Sequence, residues 1–155
     1  MPISDVDPYP IGHFKRVYDF IIKPAVLNAG FQPIRADDVL NTNYIAIDVI
    51  KKIINCDMSL CDLSSRNPNV FYELSLRHAC KLPTVQIIRA ADKIPFDLDQ
   101  FRTIKIDTTD IYSLVPQLHT YRTEISSQVR KVIEDVDAVD NPISIFFPKL
   151  KVSFN

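Results

Sequence analysis

Glycine is nearly missing from this chain: Gly12 and Gly30 are the only two in 155 residues. A dinucleotide fingerprint of the GxGxxG type and a phosphate loop of the GxxxxGK[ST] type both need more glycines at fixed spacing, so that backbone can approach phosphate. Both are excluded. A surplus of positive charge is also absent, since 18 Lys and Arg stand against 19 Asp and Glu, a formal net charge of −1. Phosphate-backbone binding needs a clear basic excess or a dense basic stripe, so no nucleic-acid partner is expected. Nor does any run approach the roughly 20 apolar residues that cross a bilayer. Met1 to Gly12 is polar and Pro-rich, without the apolar core of a signal peptide. These absences predict no membrane partner and a cytoplasmic location.

Histidine is scarce and scattered. His13, His78 and His119 fall on separate elements with no Ser or Cys nucleophile motif beside them, which leaves a hydrolase triad unsupported and makes each a surface or packing residue. No His, Cys and carboxylate group has ligand spacing, so no metal or other cofactor is expected. Cys56, Cys61 and Cys80 are odd in number, lack paired CxxC spacing, and read as free buried thiols in a reducing compartment.

What is present is enough for one core, with 46% hydrophobic and 24% charged residues. His13 to Ala29 has helical apolar spacing, with a bend expected at Pro24 and Gly30 at the cap. Phe31 to Ala36 reads as a short strand and Tyr44 to Asn55 as a helix. Asp57 to Leu63 is the next strand, followed by a helix over Pro68 to Lys81 with Asn67 as N-cap. Pro83 to Arg89 is a strongly apolar strand, Ala90 to Phe101 a loop, and Arg102 to Asp107 a last strand. Leu114 to Glu134 is a long amphipathic helix with Leu118, Tyr121, Ile125, Val129 and Val132 facing inward.

This alternation predicts a three-layer α/β/α domain over residues 1–134, with a parallel sheet of four or five strands. Ligands of such sheets bind at the carboxyl ends of the strands. Those ends are the loops near Asp37, Ser64 to Asn69 and Arg89 to Asp97, together with the segment before His13. Met1-Pro2-Ile3 looks like the final residues of a strand. Residues 135–155 form a tail too apolar for a free linker, which adds a strand or packs on a partner.

One segment carries candidate chemistry, Cys61-Asp62-Leu63-Ser64-Ser65-Arg66-Asn67-Pro68-Asn69-Val70-Phe71-Tyr72-Glu73-Leu74. It joins a strand to a helix whose second turn holds Glu73. Arg66, Asn67 and Asn69 bring donors suited to ribose hydroxyls or phosphate to the positive end of that helix. A glutamate there can attack or stabilise the anomeric carbon of a nucleoside, whose transition state has oxocarbenium character. The same residues also have a purely structural reading: Asn67 as an N-cap, Arg66 as a solvated turn residue, and Glu73 as a helix charge paired with Arg77 at i+4.

Asp57 to Ala79 resembles the A-D-L-T-G-R-N-P-N-V-F-Y-E-L-G-x-A-H-A block of proteins related to nucleoside 2-deoxyribosyltransferases, many of which are grouped with TIR-like N-glycosidases. Met1 to Ser4, Tyr18 to Pro33, Arg35 to Asp37, Lys81 to Val85 and Ile94 to Leu98 are similar to further segments of that superfamily. The resemblance implies a flavodoxin-like sheet and a nucleophilic glutamate, Glu73, acting on C1′ of a nucleoside, nucleotide or NAD-type substrate. It also implies a sugar or phosphate subsite lined by Asp62, Arg66, Asn67 and Asn69, with Arg35, Asp37, Phe96 and Asp97 from neighbouring loops. Ser65 and Ser75 depart from the block, each standing where it has glycine. Homo-oligomers are expected by the same comparison. A nucleotide sensor that does not cleave its ligand, and a self-assembling signalling module, are the alternative readings.

Overall fold

Val85, Gln86, Ile87 and Ile88 are all buried, a run without alternation that needs a strand covered on both faces. In the computed structural model, which describes residues 1–35, 45–135 and 140–153, this run is the middle strand of a parallel sheet. β1 (Ser59–Asp62), β2 (Thr84–Arg89) and β3 (Thr103–Ile106) lie in the order β1-β2-β3. Asp62 pairs with Ile87 and Arg89 with Ile106. The expected fourth and fifth strands are not found among the described residues. Residues 31–35 have no regular structure, and the Phe31 amide instead bonds back to the Val26 carbonyl at 3.1 Å. Ala36, which would end that strand, lies outside the described residues.

Helices cover both faces of the sheet. α1 (His13–Val17) and α2 (Lys23–Asn28) are joined by a π-helical turn, Tyr18–Ile22. With α5 (Ile111–Glu134) they enclose Val85, Ile87, Ile104 and Ile106 on one face. α4 (Pro68–Ala79) covers the other through Val70 and Leu74, which pack with Cys61, Ile88 and Leu98. α3 (Ile45–Asn55) lies beside α4.

The π-helical turn Tyr18–Ile22 falls just before Pro24, and a proline there has a direct effect on the helix bonding. Proline has no amide hydrogen, so the Phe20 carbonyl lacks the donor that an α-helix supplies four residues on. Arg122 Nε on α5 donates to it instead, at 2.7 Å. α5 begins three residues earlier than its apolar spacing indicated, because the Asp110 carboxylate accepts from the amides of Tyr112 and Ser113 at 2.7 and 2.9 Å. The apolar tail adds no strand among its described residues. Pro142–Phe146 forms the short helix α6 against α4, and Lys81 Nζ donates to the carbonyls of Phe147 and Pro148. No helix is long and apolar enough to cross a membrane, among the described residues.

Candidate functional site

β1 runs into a tight turn at Ser64–Arg66 before α4 begins. Ser65 and Arg66 both take left-handed backbone, with φ of 63° and 51°, a conformation that costs side-chain-bearing residues about 1–2 kcal/mol each. Local bonds hold the turn in place. The Ser64 amide donates to Asp62 Oδ1 at 3.0 Å, and the Arg89 amide donates to Ser64 Oγ at 2.8 Å. The Ser65 amide points at the Tyr9 hydroxyl, 2.7 Å away, and at Asp92 Oδ2, 3.3 Å away. Tyr9 in turn donates to Asp92. Burial, together with the Asp92 carboxylate, pushes the Tyr9 hydroxyl up to about 12, so it stays protonated as the donor.

A small cleft opens beside this turn at the carboxyl ends of β1 and β2 and just past β3. Its polar lining is His13, Asp62, Ser64, Arg89 and Thr108. Burial pulls the His13 imidazole down, which favours its neutral form, and pushes the Asp62 carboxyl up against the bonds from Ser64. Arg89 lies over the Tyr9 ring, its guanidinium carbon 5.2 Å from the centroid. The His13 ring is 5.0 Å from the Tyr9 ring.

Of the residues expected to share one site, Asp62 alone lines this cleft. Asn67 accepts from the Asn69 amide at 2.9 Å and is the N-cap of α4. Arg66 reaches across to the Lys93 carbonyl, at 3.4 Å, and so ties the turn to the loop after β2. Asn69, Phe96 and Asp97 are exposed, Phe96 at 80%. Arg35 contacts the Ile3 carbonyl and the Tyr18 ring. Asp37 lies outside the described residues.

Glu73 is half-buried on α4. Burial pushes its carboxyl above the usual glutamate value, opposed only by the Met1 amino group. The expected pairing with Arg77 does not form. Arg77 is fully buried, and its guanidinium donates to the carbonyls of Ile53, Cys56, Asp57 and Pro83. Burial pulls its pKa down, since all four acceptors are neutral. Glu73 therefore makes no ion pair among the described residues, although a cation stands one helical turn away.

Sequence reasoning missed Tyr9, Arg89, Asp92 and Thr108, and gave His13 only a surface or packing role. The available signal was positional: Arg89 ends a strand and His13 follows an N-terminal loop, both on the side where parallel sheets bind ligands. Cys56, Cys61 and Cys80 are free thiols, of which Cys61 is buried as expected and Cys56 and Cys80 are only half-buried; the described residues contain no metal-binding cluster. No protein-family model and no curated protein matches the chain.

Proposed function

We propose that this chain cleaves or transfers an N-glycosidic bond of a nucleoside, nucleotide or NAD-type substrate, with Glu73 as the nucleophile. The observation that carries the reading is a half-buried carboxylate, without an ion pair among the described residues, on the helix that leaves the carboxyl end of β1. Burying a charge without a partner costs stability, and perturbed carboxylates of this kind concentrate where chemistry is done. The resemblance of Asn67 to Leu74 to the nucleoside 2-deoxyribosyltransferase and TIR-like superfamily supports the same assignment. That resemblance also argues for a flavodoxin-like sheet, and the polar, Pro-rich N-terminal segment argues for a cytoplasmic location.

In this scheme the Glu73 carboxylate attacks C1′ as the bond to the base breaks, and the base leaves with the bonding electron pair and takes up a proton. Water or a second base then resolves the glycosyl ester and restores the carboxylate. The test is product analysis by chromatography with a panel of nucleosides, nucleoside monophosphates and NAD. Free base should appear with the wild type, and Glu73→Gln should lower turnover by about a thousandfold or more while leaving affinity nearly unchanged. If the variant keeps more than about a tenth of the turnover, a loss of only roughly 1.4 kcal/mol, Glu73 is not the nucleophile.

Self-association is the second reading, favoured by the exposed Ile145, Phe146, Phe147 and Leu150 of the tail. Sedimentation of the full chain beside a form ending at residue 134 tests it, with a monomer in both cases as the outcome against it.

A further inference from the structure

Asp5 to Gly12 form a loop whose two ends meet, because the Gly12 amide donates to Asp5 Oδ1 at 2.7 Å. Within it the Tyr9 amide bonds back to the Val6 carbonyl at 2.9 Å. Gly12, at φ 74°, leads into α1 through left-handed backbone that glycine takes without a Cβ penalty. Compact loops of this kind, closed at the base, are self-contained pieces of surface structure. Tyr9 is the only buried residue of the eight, so the loop is laced to itself and seated on the body through one side chain.

That seat joins three loops at the carboxyl end of the sheet. The Tyr9 ring lies 5.0 Å from the rings of His13 and Phe14, with the Arg89 guanidinium 5.2 Å from its centroid. Its hydroxyl donates to Asp92, in the loop after β2, and accepts from the Ser65 amide, in the turn after β1. His13 and Arg89 are walls of the cleft, and with Tyr9 against them the free space left is about 10 Å³, room for a single water. Closure also has a penalty. Arg89 Nε and Thr108 Oγ1, both on the cleft wall, are buried with no hydrogen-bond partner among the described residues, whereas buried polar atoms are nearly always satisfied. Lifting the loop returns both atoms to water; seating it buries the Tyr9 ring and makes the two hydroxyl bonds. Opposing contributions of similar size are the condition for a segment that opens locally while the core stays folded.

We propose that Asp5 to Gly12 is a strap that opens and shuts over the carboxyl end of the sheet, with the Tyr9 hydroxyl as its latch and Asp92 and Ser65 as the catch. Shut, it keeps solutes from His13, Asp62 and Arg89; open, it exposes them. The strap does not depend on the reaction assigned to Glu73, and its test needs no substrate. Phenylglyoxal modifies accessible guanidinium groups, so its rate of reaction at Arg89 in the full-length chain, followed by mass spectrometry, reports the open state. Tyr9→Phe keeps the ring and removes the hydroxyl, and should speed Arg89 modification at least about tenfold, the size expected from one hydrogen bond to a carboxylate. Hydrogen exchange at the amides of Val85 to Ile88, in the buried middle strand, should stay at wild-type rates, which separates opening of the strap from loss of the fold. Asp92→Ala removes the catch from the other side and should act alike; it decides the matter if Tyr9→Phe does not fold. Because both substitutions break one bond, the double variant should react no faster than the faster single. Unchanged Arg89 modification in either folded variant, middle-strand amides that accelerate in step with Arg89, or rate increases that multiply in the double variant each overturn the strap.

Discussion

Arg77 Nη2 donates to the Pro83 carbonyl at 2.6 Å, across the turn that carries the chain from α4 into β2. The same guanidinium holds the carbonyls of Ile53 and Cys56 at 2.7 and 3.0 Å, at the end of α3. One side chain thus fastens α3, α4 and the entry to the central strand. Its charge is met by carbonyl dipoles and by the negative end of α3.

Replacing Arg77 with leucine should therefore destabilise the fold by about 3 kcal/mol or more, because several buried carbonyls lose their donor at once. Arg77→Lys should recover only part of this, since an ammonium lacks the planar fork. Urea denaturation measures both. A loss below about 1 kcal/mol for the leucine variant would mean that water replaces the guanidinium.

Ser65→Gly should stabilise the protein. Glycine takes left-handed backbone without the Cβ penalty, and the substitution removes a buried hydroxyl that has no hydrogen-bond partner among the described residues. The gain, offset by the greater freedom of glycine in the unfolded chain, should be about 0.5–1 kcal/mol, or a few degrees in Tm. An unchanged or lower Tm would contradict the account of strain in the turn.

Glu73→Gln should raise Tm at neutral pH. A carboxyl whose folded value exceeds its unfolded one favours the protonated form in the native state. Ionised Glu73 therefore lowers stability increasingly as pH rises above its unfolded value, and the glutamine variant escapes that loss. The Tm difference should vanish in acid, below the unfolded glutamate value. Glutamate more stable than glutamine at pH 7 would mean that the side chain has a partner.

His78 sets a second pH response. Burial pushes its imidazole down to about 4, against a weak opposing pull from Asp140. The unfolded chain takes up the proton first, so stability is full above about pH 6.5 and falls as pH drops from there towards 4. The whole effect is on the order of 3 kcal/mol. Chemical denaturation across that window should show the slope in wild type and a much flatter one in His78→Leu. Equal slopes would remove His78 as the cause.

Helix and strand order was legible where local chemistry spoke for itself. The unbroken apolar run of β2 announced a doubly covered strand, and Asn67-Pro68 marked the start of α4. Residues 31–35 misled because Phe31 and Ile34 have strand-like side chains, yet the Phe31 amide closes the end of α2 instead of a ladder. The fate of Arg77 was hidden too: spacing on one helix put Glu73 beside it, whereas four carbonyls from other segments claimed it. The cleft was least visible, because Arg89 and Thr108 are set side by side by sheet register, His13 comes from the start of α1, and the three carry no joint motif.

Pro24 and Arg122, far apart in sequence, both decide how one carbonyl, that of Phe20, is satisfied. Proline withholds the amide that Phe20 would otherwise receive, and Arg122 supplies the donor from α5. The two positions are consequently linked as an energetic pair across the helical layer. With alanine at 24, Phe20 regains a donor in its own helix, and truncating Arg122 then costs less than it does in the natural chain. A double-mutant cycle over positions 24 and 122 should return a coupling of about 0.5–1.5 kcal/mol, so selection at either position depends on which residue occupies the other.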